Sequence, residues 1–129
     1  MHLIQIIDKK VPVRSMAASI PGIEIEALTP RRMFIKRKNS KNLKVKLLAI
    51  DRNTETIRVQ GEKDPDARDY FTHDVFALDI KDHATSKTLS LKFTSGMEID
   101  LFEAVPKDSS LLTAFREELL GILGTAIHS

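Results

Sequence analysis

The feature that most constrains the fold is a change of hydrophobic period along the chain. From residue 32 to about residue 101 apolar and polar side chains alternate, and from Leu111 onward apolar side chains recur at spacings of three and four. Alternation places successive side chains on opposite faces of an extended strand, and the longer spacing draws one stripe along a helix. Residues 33–38 alternate with Met33, Ile35 and Arg37 on one face and Phe34, Lys36 and Lys38 on the other. Residues 43–50 alternate with Leu43, Val45 and Leu47 inward and Lys44 and Lys46 outward, across a polar turn at residues 39–42. Ile57 and Val59 mark another strand. Residues 70–80 give one long or two short strands with Phe76, Leu78 and Ile80 in phase. Leu89, Leu91 and Phe93 face Met97, Ile99 and Leu101 across a Ser95-Gly96 turn.

The helical stripe is Leu112, Phe115, Leu119, Ile122 and Ala126, and Asp108, Ser109 and Ser110 precede it with oxygens able to cap its first N–H groups. The order is therefore antiparallel strands followed by one C-terminal helix over residues 109–124. Two nearly orthogonal sheets leave an open side, and an amphipathic helix can close it. The expected fold class is mainly β with one C-terminal α-helix: a seven-stranded antiparallel barrel or sandwich, capped by that helix. At 129 residues the chain is one domain. Residues 1–30, punctuated by Pro12, Pro21-Gly22 and Pro30, read as an arm packing on a domain of residues 31–129. Residues 23–28 could form a strand within that arm.

Charge is unevenly distributed. The net charge is +2, yet residues 31–46 hold Arg31, Arg32, Lys36, Arg37, Lys38, Lys41, Lys44 and Lys46 and no acid. The remainder carries 12 basic and 18 acidic residues, so the chain is dipolar in sequence. Such a block attracts phosphates, anionic head groups or acidic protein surfaces. Phe34 is the one aromatic residue inside it, too few for the stacking platforms of single-stranded nucleic acids, so nucleic acid is not the expected partner.

The motifs of catalysis and metal binding do not occur. Without cysteine there is no thiol nucleophile and no thiolate metal site. His2, His73, His83 and His128 have no metal-ligand spacing, and Asp64-Pro65-Asp66 lacks the regular spacing of a calcium loop. No G-x-S-x-G, G-x-G-x-x-G or P-loop is present. The expectation is a non-enzymatic module without cofactor or metal. No apolar run nears the ~20 residues of a membrane span. The expected location is cytoplasmic, at most peripheral on a membrane.

The strand pattern, the basic hairpin of residues 33–46, the run Met97-Glu98-Ile99-Asp100-Leu101-Phe102-Glu103-Ala104 and the closing helix together resemble the pleckstrin-homology fold over residues 32–124. The layout looks closest to the phospholipase-C-like branch. It is also similar in style to the apicomplexan inner membrane complex sub-compartment proteins, scaffolds of that fold. The resemblance implies a binding or scaffolding role at a membrane-associated protein assembly, with a protein or an anionic lipid head group as partner. The alternative it implies is phosphoinositide recognition by Lys36 and Lys38 on the first strand and Lys44 and Lys46 on the second. Where the family carries arginine this chain has Lys46, which cannot fork onto a phosphate. Phe115 stands where the family's helix usually carries tryptophan.

Overall fold

A computed structural model describes residues 20–124. These residues run through eight strands: β1 (Ile23–Leu28), β2 (Arg32–Arg37), β3 (Val45–Asp51), β4 (Thr56–Gly61), β5 (Arg68–Phe71), β6 (Val75–Asp82), β7 (Lys87–Phe93) and β8 (Glu98–Ala104). Helix α1 (Ser109–Leu123) follows. Consecutive strands pair antiparallel, β1 to β5 in one sheet and β6 to β8 in another. The two sheets do not merge into one closed barrel. They are joined at one side, where Lys44 N donates to Leu101 O (2.8 Å), Glu103 N donates to Asn42 O (2.9 Å) and Leu43 bridges Phe102.

One hydrophobic cluster fills the space between the sheets and under α1. Met33, Ile35, Leu48, Ile50 and Ile57 enter it from the first sheet, and Leu89, Leu91, Leu101 and Phe102 from the second. The helix supplies Leu112, Phe115, Leu119, Ile122 and Leu123. The first four are the stripe that the 3.6-residue spacing marks, and Ala126 lies outside the described residues. Phe115 stacks on Phe102 with ring centroids 4.8 Å apart. The far end of α1 is tied to the first sheet by Arg52, in the β3–β4 turn, whose guanidinium donates to Ile122 O (3.1 Å) and Leu123 O (2.6 Å). These carbonyls have no partner within the helix, and a cation there also suits the helix dipole.

Several expectations shift for one physical reason: β-bulges. One extra residue interrupts the ladder at Glu26 in β1, Lys46 in β3, Phe76 in β6 and Leu101 in β8. Each bulge changes the phase of alternation and bends its strand. In β3, Val45 is buried and so are Leu48 and Ile50, whereas Leu47, expected inward, is only half-buried. In β6 the bulged Phe76 is 53% exposed while Leu78 is buried, and Ile80, in phase with Leu78 but on an edge strand, is 38% exposed, so these three are not one buried face. In β8, Leu101 and Phe102 are both buried, and Met97 and Ile99 are not.

Residues 70–80 are two strands, separated by a 3-10 turn at Thr72–Asp74. Thr72 is wholly buried there, its N–H donating to Glu55 O (3.0 Å) and its hydroxyl to the Glu55 carboxylate. Among the described residues there are eight strands rather than seven, because residues 23–28 pair with residues 33–37 of β2 as an edge strand. Residues 1–19 of the expected arm lie outside the described residues.

Candidate functional site

The basic block folds as β1's neighbour β2, the β2–β3 connection over residues 38–44, and the start of β3. The connection is held from three sides. Gly22 O accepts from Lys38 N (2.8 Å) and Asn39 N (3.1 Å). Ser40 Oγ accepts from the N–H groups of Asn42 (3.1 Å) and Leu43 (3.2 Å). Asn42 Nδ2 donates to Glu103 O (3.0 Å), and the buried Leu43 pins the chain against β8.

Four of the block's eight charges are answered by acids, and Arg31 is held by neutral oxygens. Arg31 donates to Asn53 Oδ1 (2.7 Å) and Arg52 O (3.2 Å) across the β3–β4 turn. Arg32 faces Asp51 (3.6 Å), Lys36 faces Glu26 (3.0 Å), Arg37 faces Glu62 (3.0 Å) and Lys44 faces Glu103 (3.3 Å). The hydrogen bond to Glu26 and the charge of that carboxylate raise the Lys36 pKa, and its ammonium lies 5.7 Å from the centre of the Phe34 ring. Lys38, Lys41 and Lys46 are exposed and have no ion pair among the described residues.

Two of the four lysines named from sequence are thus held by acids. Lys36 is drawn to β1, and Lys44 to β8. The strand argument that set Lys36 with Lys38 and Lys44 with Lys46 on common faces loses its basis. β2 ends at Arg37, β3 begins at Val45, and Lys46 is the extra residue of a bulge.

Two further cations reach this end from distant parts of the sequence. Lys63, exposed in the β4–β5 connection, lies near enough for its charge to act on Glu62. Lys107 shares with Lys41 the lining of an open groove of about 550 Å³ between the hairpin, the β6–β7 connection and the turn before α1. Neither was identified from sequence. The only available signal was a lysine in a loop, and loops are commonly basic.

Several acids, near the hairpin and elsewhere in the fold, are held in their charged form. Hydrogen bonds from Ser86 (2.7 Å) and Lys44 lower the Glu103 pKa below its ordinary value of 4.5. Arg37 does the same for Glu62, and the Thr72 hydroxyl for Glu55. Burial opposes ionisation of Asp100, yet bonds from Ser90 Oγ (2.6 Å) and Lys81 (3.0 Å) outweigh it and bring its pKa below 3.8. A carboxyl whose pKa is lower folded than unfolded adds stability that is complete above the unfolded value and disappears as pH falls through the folded one. The urea midpoint should therefore hold above about pH 5 and fall steadily below about pH 4.5. Glu103→Gln should flatten part of that fall. A midpoint independent of pH across this range would contradict the arrangement.

Searches against protein-family models, curated proteins and solved structures return no match to this chain. What the structure itself defines is a two-sheet antiparallel β domain closed by a C-terminal helix, with a clamped basic hairpin at one end. Among the described residues no helix is long and apolar enough to cross a membrane, and no group of three or more His, Asp or Glu side chains is placed to hold a metal ion.

Proposed function

We propose that the chain is a non-enzymatic binding or scaffolding module of pleckstrin-homology-like architecture, and that its basic hairpin docks an acidic protein surface within a membrane-associated assembly. The architecture is supported by the element order. Strands β2 to β5 and then β6 to β8 give four and three antiparallel strands before the helix, with β1 added at an edge. The observation that carries the docking reading is the pattern of charge pairing. Lys38, Lys41 and Lys46 are solvent-facing and, among the described residues, without an ion pair, on a backbone fixed by Gly22, Ser40 and Asn42, while Arg32, Lys36, Arg37 and Lys44 each meet an acid.

Phosphoinositide recognition by Lys36, Lys38, Lys44 and Lys46 is the second reading. It requires a phosphate to displace Glu26 from Lys36 and Glu103 from Lys44.

The test compares an acidic peptide with vesicles containing a phosphatidylinositol bisphosphate. The docking reading expects salt-sensitive peptide binding that weakens at least tenfold, on the order of 1.4 kcal/mol, in Lys38→Glu/Lys41→Glu/Lys46→Glu. It expects Lys36→Ala/Lys44→Ala to leave peptide binding intact. Vesicle binding that is lost in the second variant would establish the phosphoinositide reading instead, and peptide binding unchanged in the triple variant would end the docking reading.

A further inference from the structure

Sheet edges expose unpaired N–H and C=O groups, and proteins guard them with bulges, charges, short strands or covering segments. Three of the four edges here are guarded. β1 carries a bulge at Glu26 and exposes Glu24 and Glu26. β5 has only 4 residues, beginning with exposed Arg68 and Asp69. The outer side of β8 is taken at residues 101–103 by the backbone of residues 42–44.

The fourth edge, β6, is different. It is the longest strand, 8 residues without proline, and its bulge lies near its start, leaving residues 77–82 in regular register with β7. Among the described residues no backbone bond reaches that stretch from outside its own sheet. Ile80, in the middle of the regular stretch, is 38% exposed although its cross-strand partner Leu89 is fully buried.

The sequence of this edge is complementary to itself. In an antiparallel pair centred on a residue, side chains keep their faces, so the centre decides which groups oppose each other. Centred on Asp79, two copies would set carboxylate against carboxylate. Centred on Ile80, they set Ile80 against Ile80, and Asp79 against the partner's Lys81 on both sides of the axis. Opposite charges directly across a strand pair stabilise it and like charges oppose it. The Lys81 ammonium already meets Asp100 (3.0 Å) and Glu98 (3.2 Å), and Asp79 meets Lys92 (3.5 Å), so the pairing would extend an existing network of alternating charge.

We propose that β6 is the seam of a two-fold symmetric dimer of this chain, with two copies pairing antiparallel about Ile80 to join their three-stranded sheets. The contact is isologous, so each residue of the seam serves both copies. It is small, and the association is correspondingly weak. This proposal is independent of the hairpin reading, since β6 contains none of the hairpin lysines.

Sedimentation equilibrium tests it. The mass of the wild-type protein should rise from one chain toward two as concentration increases through the micromolar range and on toward millimolar. Asp79→Lys and Lys81→Asp should each weaken self-association at least tenfold, by opposing like charges. An equimolar mixture of the two should recover wild-type association as a one-to-one heterodimer, because the mixed seam restores both opposite pairs. Circular dichroism checks that each variant is folded. If the loss of Lys81 from Glu98 and Asp100 prevents folding, Ile80→Asp decides alone, and it should abolish association. A wild type that keeps the mass of one chain throughout overturns the seam, as does a mixture no stronger than its components or a dimer indifferent to Ile80→Asp.

Discussion

Phe115→Ala should cost about 3–5 kcal/mol, among the largest losses expected from a single truncation in this fold. The ring is wholly buried and stacks on an equally buried Phe102. Leu112 and Leu119, one turn away on either side, bury the same face of α1. Removing the ring forfeits its burial and leaves a cavity that the sheet below cannot collapse to fill. With total stability typically 5–15 kcal/mol for a domain, that is a large share of the whole.

At this chain length the melting temperature should drop by roughly 10–20 °C. The chain has no tryptophan, so far-UV circular dichroism in urea is the appropriate measurement. Phe71→Ala is the matched control. That ring is 52% exposed and stacks on His73 at 5.3 Å, so its loss should stay within about 0.5 kcal/mol. If the two variants cost the same, α1 does not close the core.

The contrast between these two phenylalanines also marks how far the sequence could be read. Phe115 belongs to a stripe of five apolar positions at helical spacing, and burial was the only economical use of such a stripe. Leu89, Leu91 and Phe93 were equally legible, since their strand is the central one of its sheet and nothing interrupts its phase. Phe76 and Leu47 were not legible. Phe76 is, and Leu47 adjoins, an extra residue that exists only relative to a partner strand, and one sequence considered alone contains no record of register.

The partners of the lysines were hidden for a related reason. Glu26, Glu62 and Glu103 reach Lys36, Arg37 and Lys44 from three different strands or loops. A count of charges along residues 31–46 therefore found the basic block but overstated how much of it is available. The cap of α1 by Arg52 lies beyond local reading too, since 70 residues separate it from Ile122.

Gly22→Ala should disturb both stability and binding, although no charge and no core side chain is removed. Gly22 has φ +83°, a left-handed conformation that costs other residues roughly 1–2 kcal/mol. A methyl group there would also lie 2.5 Å from Asn39 Oδ1, 2.6 Å from Ser40 N and 2.8 Å from Ser40 Cα. The Asn39 side chain can swing away, but the Ser40 backbone moves only if the whole β2–β3 connection moves. That shift breaks the bonds by which Gly22 O holds Lys38 and Asn39. The combined loss should reach about 2–4 kcal/mol. Binding of the acidic peptide should weaken with it, because Lys38 and Lys41 flank the displaced segment.

Gly96→Ala separates the two causes. Gly96 has φ +96° and nothing within 4 Å of an added methyl group, so it carries the conformational strain without the clash. It should lose about 1–2 kcal/mol and bind the peptide as well as the wild type does. If Gly22→Ala retains full peptide binding while folded, the clamp at Gly22 does not position the lysines.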